Sequence, residues 1–396
     1  MEERAYNNSE SGQEFTLTEG GPGGAVLRRL RLVRPELGMG SARTALILMV
    51  IVWAPLCVLC LIEGLAVRGA KLPFFYDLAA HARFLLAVPV MILADIPVGV
   101  RLRQVVRHFL EANLVREEDL ARFEKILGDT LRFRDARAAE LLVLALAYIA
   151  TYNAVSGFAS QGGSTWFMPD PARGLTLGGY WYAFVALPIF QFLIFRWVHR
   201  MVVWSSFLWK VSKLDLRLTP THPDTAGGLA FLGKGLIPFG AIFFALSAVV
   251  SSAIAGRILF SGGKLEDFEW SYVSLFVVGL LVFAGPTLIF VPKLMMLKNR
   301  GLMEYGTLAS QYTQAFHSRW IEQKSEPSTS MLGTADIQSL ADLGNSFEII
   351  RKMRIVPVEP SDFVAMVLPG LIPALPLAAT VMPLGTIVTG LIKLVV

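Results

Sequence analysis

The chain has 396 residues, of which 54% are hydrophobic and 17% are charged, and its formal net charge is +5 at pH 7. Soluble domains usually contain about 25% charged residues, so this composition excludes an ordinary water-soluble protein. Six uncharged apolar runs recur along the chain. Each is long enough to cross a hydrocarbon core of about 30 Å, which takes about 20 helical residues. The sequence therefore predicts an all-α polytopic membrane helix bundle of about six to seven transmembrane helices, with cytoplasmic helical extensions.

Residues 1–42 are predicted to form a disordered, basic, cytoplasmic tail. The first part of the tail is polar, rich in glycine and without periodicity, as in chains that cannot bury enough apolar surface to fold. Arginines precede the first apolar run, and arginine near the ends of spans concentrates on the cytoplasmic side of the membrane. The apolar run lacks a small-residue cleavage site, so the first helix is expected to stay in the mature chain.

Basic residues in the connecting segments predict one consistent orientation. The arginine-rich segment 101–138 is predicted to be a cytoplasmic helix, whereas the loop after the third span contains a single arginine, Arg173, and is predicted to lie outside. The predicted transmembrane bundle covers residues 43–300, with spans near 44–67, 80–100, 139–158, 178–200, 235–257 and 271–293.

Two further segments follow the sixth predicted span. Residues 301–360 contain two amphipathic stretches whose apolar residues recur at three- and four-residue spacing, which predicts a cytoplasmic helical hairpin. Residues 361–396 form an apolar run that is interrupted by prolines, which break helices. This proline-broken membrane segment is predicted to be either a kinked seventh span or a re-entrant hairpin whose irregular backbone is covered by protein.

Charged side chains within apolar runs are the first candidates for a functional site, because each costs about 2.5–3.5 kcal/mol at the centre of a span. Asp95 lies between two prolines, where the second span is expected to bend. Arg196, His199 and Arg200 are spaced three and four residues apart, so they share one face of the fourth helix. Two hypotheses stay open for these four residues. They form an ion pathway or anion contact, or they lie at the cytoplasmic interface and reach lipid headgroups.

The second candidate is the stretch THPDTAGGLAFL at residues 221–232. Thr221 and Asp224 have the spacing of a helix start, at which side-chain oxygens accept backbone N–H groups. Gly227 and Gly228 would let another backbone or a ligand come close. The stretch is therefore a structural helix start, an anion or headgroup site at a helix N-terminus, or a site of general acid–base catalysis by His222. Neither a metal nor another cofactor is predicted, because the histidines do not have ligand spacing.

Two longer segments lie between the fourth span and the end of the predicted hairpin. They read LRLTPTHPDTAGGLAFLG, which contains the pattern THPDxAGGLxFL, and TADIQSLADLGNSFEIIRKMRIVP, which contains ADIQSLADLGNSFE. Both resemble a family of bacterial integral membrane proteins of unknown function. The resemblance implies a multi-pass protein of the bacterial inner (cytoplasmic) membrane, and it implies no particular activity.

Three functions stay open. Ionisable and helix-breaking residues within apolar runs favour a homo-oligomeric ion channel or small-ion transporter. The amphipathic hairpin favours a membrane-anchored sensor or assembly platform that binds a cytoplasmic protein partner. An enzyme acting on lipid headgroups would use His222 as base and Arg196 or Arg200 to hold phosphate. Motifs of nucleotide-binding, zinc-protease and serine-hydrolase enzymes are absent, so the residues support an enzyme least.

The basic residues also predict the partners of the protein. They cluster beside the predicted spans, where anionic lipid attracts them, so membrane lipids are expected partners and nucleic acid is not.

The predicted orientation is tested by a His222→Cys variant in a chain whose Cys57 and Cys60 are replaced by alanine. Because position 222 is expected to face the cytoplasm, a membrane-impermeant maleimide should react in inside-out vesicles and not in right-side-out vesicles. Labelling from the periplasmic side alone would contradict the topology.

Overall fold

A computed structural model describes residues 16–17, 20, 39–160, 164–322 and 335–378. Within these residues the predicted all-α fold is confirmed, since they contain helices and two isolated bridges and no β-strand. Most of the predicted N-terminal tail lies outside the described residues. So does the end of the proline-broken segment from residue 379 onward, and both alternatives for that segment stay open.

Ten helices are labelled in chain order among the described residues. They are α1 (Met39–Ile62), α2 (Leu78–Glu111), α3 (Leu120–Arg134), α4 (Arg137–Ser160), α5 (Leu177–Ser212), α6 (Phe231–Phe260), α7 (Glu269–Phe283), α8 (Val291–His317), α9 (Asp336–Lys352) and α10 (Pro360–Leu377). Six of them, α1, α2, α4, α5, α6 and α10, are long and apolar enough to cross a membrane. A seventh span results if 265–283 and 285–322, which meet at a 48° bend, count as one. The protein is thus a multi-pass membrane protein.

The second span, α2, is irregular at two places. It contains a π-helical turn at Ala82–Ala87 and a break at Ala94. Pro97 has no N–H group, so it cannot donate the helical hydrogen bond four residues back. At the break the Met91 carbonyl oxygen accepts a hydrogen bond from the Trp197 indole, 3.1 Å away. A side chain of α5 therefore hydrogen-bonds to the backbone of α2 beside the break.

The segment 101–138 differs from the single helix that the sequence predicts. It consists of the end of α2, a turn and loop at residues 112–119, and α3. Asn113 adopts a left-handed conformation with φ of 51°, which ends a right-handed helix. The next residues pair with another part of the chain, because Arg217 N donates to Leu114 O at 2.8 Å and Val115 bridges Leu216.

The loops gather at two ends of the bundle. At one end, which we call the basic end, residues 112–119, 213–230 and 353–362 contact one another; for example, Arg354 N donates to Thr225 O at 2.7 Å. At the opposite end the Glu63 carboxylate accepts hydrogen bonds from Leu177 N and Gly178 N at 2.8 and 3.2 Å. Glu63 thereby caps the N-terminus of α5, where backbone N–H groups lack helical partners.

The helices α8 and α9 pack against each other. Asp336 at the start of α9 connects the two helices through hydrogen bonds. Its carbonyl oxygen accepts one from Tyr312 Oη at 3.1 Å, and its carboxylate accepts one from Trp320 Nε1, just after α8, at 2.9 Å. The side of the membrane on which the hairpin lies stays a prediction.

The core of the bundle lies along α5 and α6, against which the neighbouring helices pack. Most of the inward face of α5 is buried, and α5 packs on α3, α4 and the turn after α7, whereas α6 packs on α2 and α10. By contrast, α1 and α4 leave large apolar side chains exposed, such as Ile62 (72%) and Tyr152 (73%). Exposed apolar faces of this kind are suited to lipid contact.

Candidate functional site

A buried ion-pair cluster joins α2 to α5. Asp95 is the first residue after the break in α2, and Arg196 Nη2 lies 2.5 Å from its Oδ2. Arg200 binds both carboxylate oxygens: Nη1 pairs with Oδ1, and Nη2 lies 3.1 Å from Oδ2. The side chains of Asp95, Arg196 and Arg200 are only 17%, 7% and 2% exposed. Three of the four residues predicted for an ion pathway therefore meet in one place, which we call the α2–α5 charge cluster.

Among the described residues, two guanidinium groups of the α2–α5 charge cluster meet one carboxylate, so these three side chains carry a net positive charge. The Arg200 guanidinium also lies over the Trp197 ring, 4.8 Å from its centroid, which is a stabilising cation–π contact. Within the described residues, the buried Arg196 Nε has no hydrogen-bond acceptor. Since buried charges are costly unless paired and hydrogen-bonded, the geometry favours the approach of a further anion.

His199 does not join the α2–α5 charge cluster, although it lies between the two arginines in sequence. The His199 ring is half-buried and packs on the Phe133 ring of α3 with centroids 5.8 Å apart. Its Nε2 lies 3.4 Å from the Arg134 carbonyl oxygen. The side chain thus connects α5 to α3 and is directed away from Asp95.

Arg83 is a second cationic position at the same interface, and the sequence reasoning missed it. It lies in the π-helical turn of α2, and its Nη1 donates to the Tyr182 hydroxyl of α5 at 2.9 Å. The guanidinium carbon is 5.5 Å from the Phe190 ring centroid. Arg83 Nε is buried without an acceptor, and in the part of the chain that the structure describes no carboxylate pairs with Arg83. The available signal was an arginine within the predicted second span, near 80–100.

The α5 helix is also irregular where it meets Arg83. A π-helical turn covers Tyr182–Ala186, and the Tyr182 ring lies against the Phe84 ring with centroids 6.1 Å apart. Two π-helical turns, one on each helix, therefore lie at the same level of the interface. Such turns occur frequently at functional sites, because they leave backbone groups and side chains in positions that a regular helix does not offer.

The stretch at residues 221–232 forms a loop, and the predicted helix start is wrong. The helix begins at Phe231, after an N-cap residue, Ala230, that makes no side-chain capping bond. Thr221 lies in a turn before it. Asp224 nevertheless accepts backbone N–H groups: Oδ1 binds Ala226 N at 2.8 Å, and Oδ2 binds Ala230 N at 3.0 Å. The aspartate organises a turn with the chemistry that the sequence assigned to a helix cap.

His222 contacts the same carboxylate, with Nδ1 2.8 Å from Asp224 Oδ1, and its side chain is 44% exposed. Partial burial raises the pKa of Asp224, but hydrogen bonds from Ala230, Ala226, Gly228 and His222 lower it further, so its pKa lies below the usual range. The carboxylate is thus ionised at neutral pH, and its oxygens are occupied by the loop backbone. This arrangement favours a structural role for His222 over general acid–base catalysis.

Gly227 and Gly228 are required by the fold of this loop. Their φ angles are +66° and +97°, which side chains rarely adopt. A Cβ atom on Gly227 would lie 2.8 Å from a methyl carbon of Leu297, and one on Gly228 would lie 3.2 Å from Leu114. The two glycines therefore let the loop pack directly on α8 and on residues 112–119. Within the described residues, groups of histidine, cysteine and carboxylate side chains suited to a metal ion are absent.

We expect Asp95→Asn to destabilise the protein by about 3–5 kcal/mol, because it removes one side of a buried ion pair and leaves two guanidinium groups uncompensated. The apparent melting temperature in detergent, followed by tryptophan fluorescence, measures the effect. The matched control is Asp129→Asn, which breaks an exposed pair with Arg132 at 3.6 Å and should cost less than about 1 kcal/mol.

A second variant separates the electrostatic effect of Asp95→Asn from a packing defect. Adding Arg196→Gln removes one of the two uncompensated charges, so the double variant should melt higher than Asp95→Asn alone. Wild-type stability of Asp95→Asn, or a double variant that is no more stable than the single one, would contradict the assignment.

We expect Asp224→Ala to destabilise the loop by about 2–4 kcal/mol, because it removes a charged acceptor of several N–H groups. Hydrogen exchange of residues 226–230 should accelerate. The pKa of Asp224 is lowered in the folded state, so its contribution is present above about pH 4 and is lost as pH falls below that value. The difference in exchange between wild type and variant should therefore shrink below about pH 4; a difference that is absent at pH 7 would rule out this role.

No family model matches the chain, and neither a curated protein nor a solved structure matches it. The resemblance to a family of bacterial integral membrane proteins therefore stays a prediction.

Proposed function

We propose that the protein is a channel or transporter for a small inorganic anion, and that the anion passes along the interface of α2 and α5. The observation that carries this proposal is the charge of that interface. Among the described residues, the guanidinium groups of Arg196 and Arg200 meet one carboxylate, that of Asp95, and the Arg83 guanidinium, farther along the same interface, binds the Tyr182 hydroxyl. Ionisable groups within spans commonly mark ion pathways, and arginine or lysine lines pores that select anions.

The spacing of the cationic positions supports two sites in series. Asp95 follows Arg83 by twelve residues, which corresponds to a rise of about 18 Å along a helix. The hydrocarbon core is about 30 Å thick, so these positions span more than half of it. Arg83 lies nearer to the opposite end of the bundle, and the α2–α5 charge cluster lies nearer to the basic end. An anion would leave one cationic site while it is attracted by the next.

The irregular backbone of α2 and α5 supports movement at this interface. Transporters often build their sites from broken helices near the middle of the membrane. Here α2 has a π-helical turn and a break, and α5 has a π-helical turn. The sign of the charge argues against a cation pathway, because the excess positive charge repels cations.

Further parts of the proposal come from the sequence alone. They are a homo-oligomeric assembly, the bacterial inner membrane as location, a cytoplasmic N-terminus, and membrane lipids or a cytoplasmic protein as partners. The alternative enzyme hypothesis receives less support, because the carboxylate beside His222 already accepts backbone N–H groups.

Flux measurements in liposomes test the proposed function. Purified protein should pass small inorganic anions and exclude potassium ions. Arg83→Gln should lower anion flux at least about tenfold, equivalent to about 1.4 kcal/mol, because it removes a positive charge from the pathway. The matched control is Arg257→Gln, which removes an exposed guanidinium that contacts only the Phe268 ring among the described residues; flux should stay at the wild-type level.

Two outcomes would overturn the proposal. One is a folded wild-type protein that passes no anion above the rate of empty liposomes. The other is an Arg83→Gln variant whose anion flux equals that of the wild type.

A further inference from the structure

Two cavities adjoin at Phe363, near the start of α10. The first has a volume of about 600 Å³ and lies at the basic end, where Lys298, Arg354 and Pro360 line it. The second has a volume of about 410 Å³ and lies between α7 and α10, where Leu281 and Leu371 are among its lining residues. We propose that these cavities bind one anionic membrane lipid, with its headgroup in the first and an acyl chain in the second. We call the second cavity the α7–α10 groove.

The α7–α10 groove has the chemistry and the length that an acyl chain requires. All of its lining residues are apolar or glycine. Along α10 it extends from Phe363 to Leu371, a rise of about 12 Å. One leaflet of the hydrocarbon core is about 15 Å thick. The groove thus matches a chain that descends from the basic end through most of one leaflet. Because lipid tails are as apolar as the lining residues, van der Waals packing stabilises such a contact.

The first cavity has the charge that an anionic headgroup requires. Lys298 and Arg354 are the charged residues among those that line it, and both are cationic. Lys298 Nζ donates one hydrogen bond, to Met353 O at 2.6 Å, and two of its donors remain. Arg354 Nη2 donates to Asp224 O at 2.8 Å, whereas its Nε is buried and has no acceptor within the described residues. A phosphate oxygen would supply the missing acceptors.

The carboxylates nearest to this cavity are already paired. Glu359 lies 3.5 Å from Arg354 and 3.5 Å from Lys234. Asp362 is buried and lies 2.9 Å from Lys234. Lys298, Arg354 and Lys234 carry three positive charges and these two carboxylates carry two negative charges, whereas the carboxylate of Asp224, whose carbonyl oxygen Arg354 binds, accepts backbone N–H groups of its own loop. The cluster lies at the N-terminal turn of α10, where the apolar helix begins.

This lipid site is independent of the proposed anion pathway. The pathway involves α2 and α5, whereas the lipid site involves α7, α8 and α10. Either proposal can fail while the other stands.

Native mass spectrometry of the delipidated full chain tests the site, with phosphatidylglycerol or phosphatidylcholine added back. The wild type should retain phosphatidylglycerol in preference to phosphatidylcholine. Lys298→Gln should weaken that retention about fivefold, because one cation near the headgroup is lost. Gly285→Leu should weaken retention of the lipid by a similar factor of about five, because its side chain fills the groove. A Cβ atom on Gly285 meets no atom within 4 Å, so the start of the new side chain has room beside the groove.

Matched controls lie outside the site. Gly256→Leu also introduces a leucine where a Cβ atom meets nothing within 4 Å, and Lys71→Gln removes an exposed lysine at the opposite end of the bundle. Both should retain phosphatidylglycerol as the wild type does. Equal retention of the two lipids by the wild type overturns the proposal, and so does wild-type retention by either Lys298→Gln or Gly285→Leu.

A second measurement needs no variant. Phosphatidylglycerol that carries a photoreactive group in its acyl chain should cross-link to residues 280–288 and 363–371 of the wild-type protein in vesicles. Cross-links spread evenly over the exposed apolar faces of α1 and α4 would overturn the proposal.

Discussion

The free energy of an ionised group in hydrocarbon is the constraint on which this structure depends. Asp95 interrupts the second span, and its charge is tolerated because Arg196 and Arg200 of α5 meet it in the protein interior. The same contact places Trp197 beside the break, where its indole binds the Met91 carbonyl oxygen. One face of α5 therefore supplies both the arginines that pair with Asp95 and the indole that binds the Met91 carbonyl oxygen. These contacts fix α2 and α5 relative to each other.

A similar requirement shapes the basic end. The loop before α6 leaves backbone N–H groups without helical partners, and Asp224 supplies their acceptors. Because Gly227 and Gly228 have no side chains, the loop packs closely enough for Arg354 to bind the Asp224 carbonyl oxygen. That contact holds residues 353–359 beside the start of α10. The cationic cavity above the α7–α10 groove is thus a consequence of how the loop folds.

The sequence predicts most of the bundle, because an uncharged apolar run of about 20 residues is long enough to cross the hydrocarbon core as a helix. It also predicts that Asp95 and Arg196 belong to a candidate functional site, since a charge within an apolar run is costly. It does not predict that α6 begins at Phe231, because an aspartate such as Asp224 can satisfy N–H groups in a turn as well as at a helix cap. The site at Arg83 depends on a tyrosine 99 residues away, and no local pattern encodes that distance.

The position of the Asp95 carboxylate in a lipid bilayer tests this account most directly. A cryo-electron microscopy structure in lipid nanodiscs would locate it relative to the two guanidinium groups of α5. We predict density for the carboxylate within hydrogen-bond distance of both Arg196 and Arg200, away from the lipid. Arginines that extend to the headgroups and leave Asp95 unpaired at the break in α2 would contradict it.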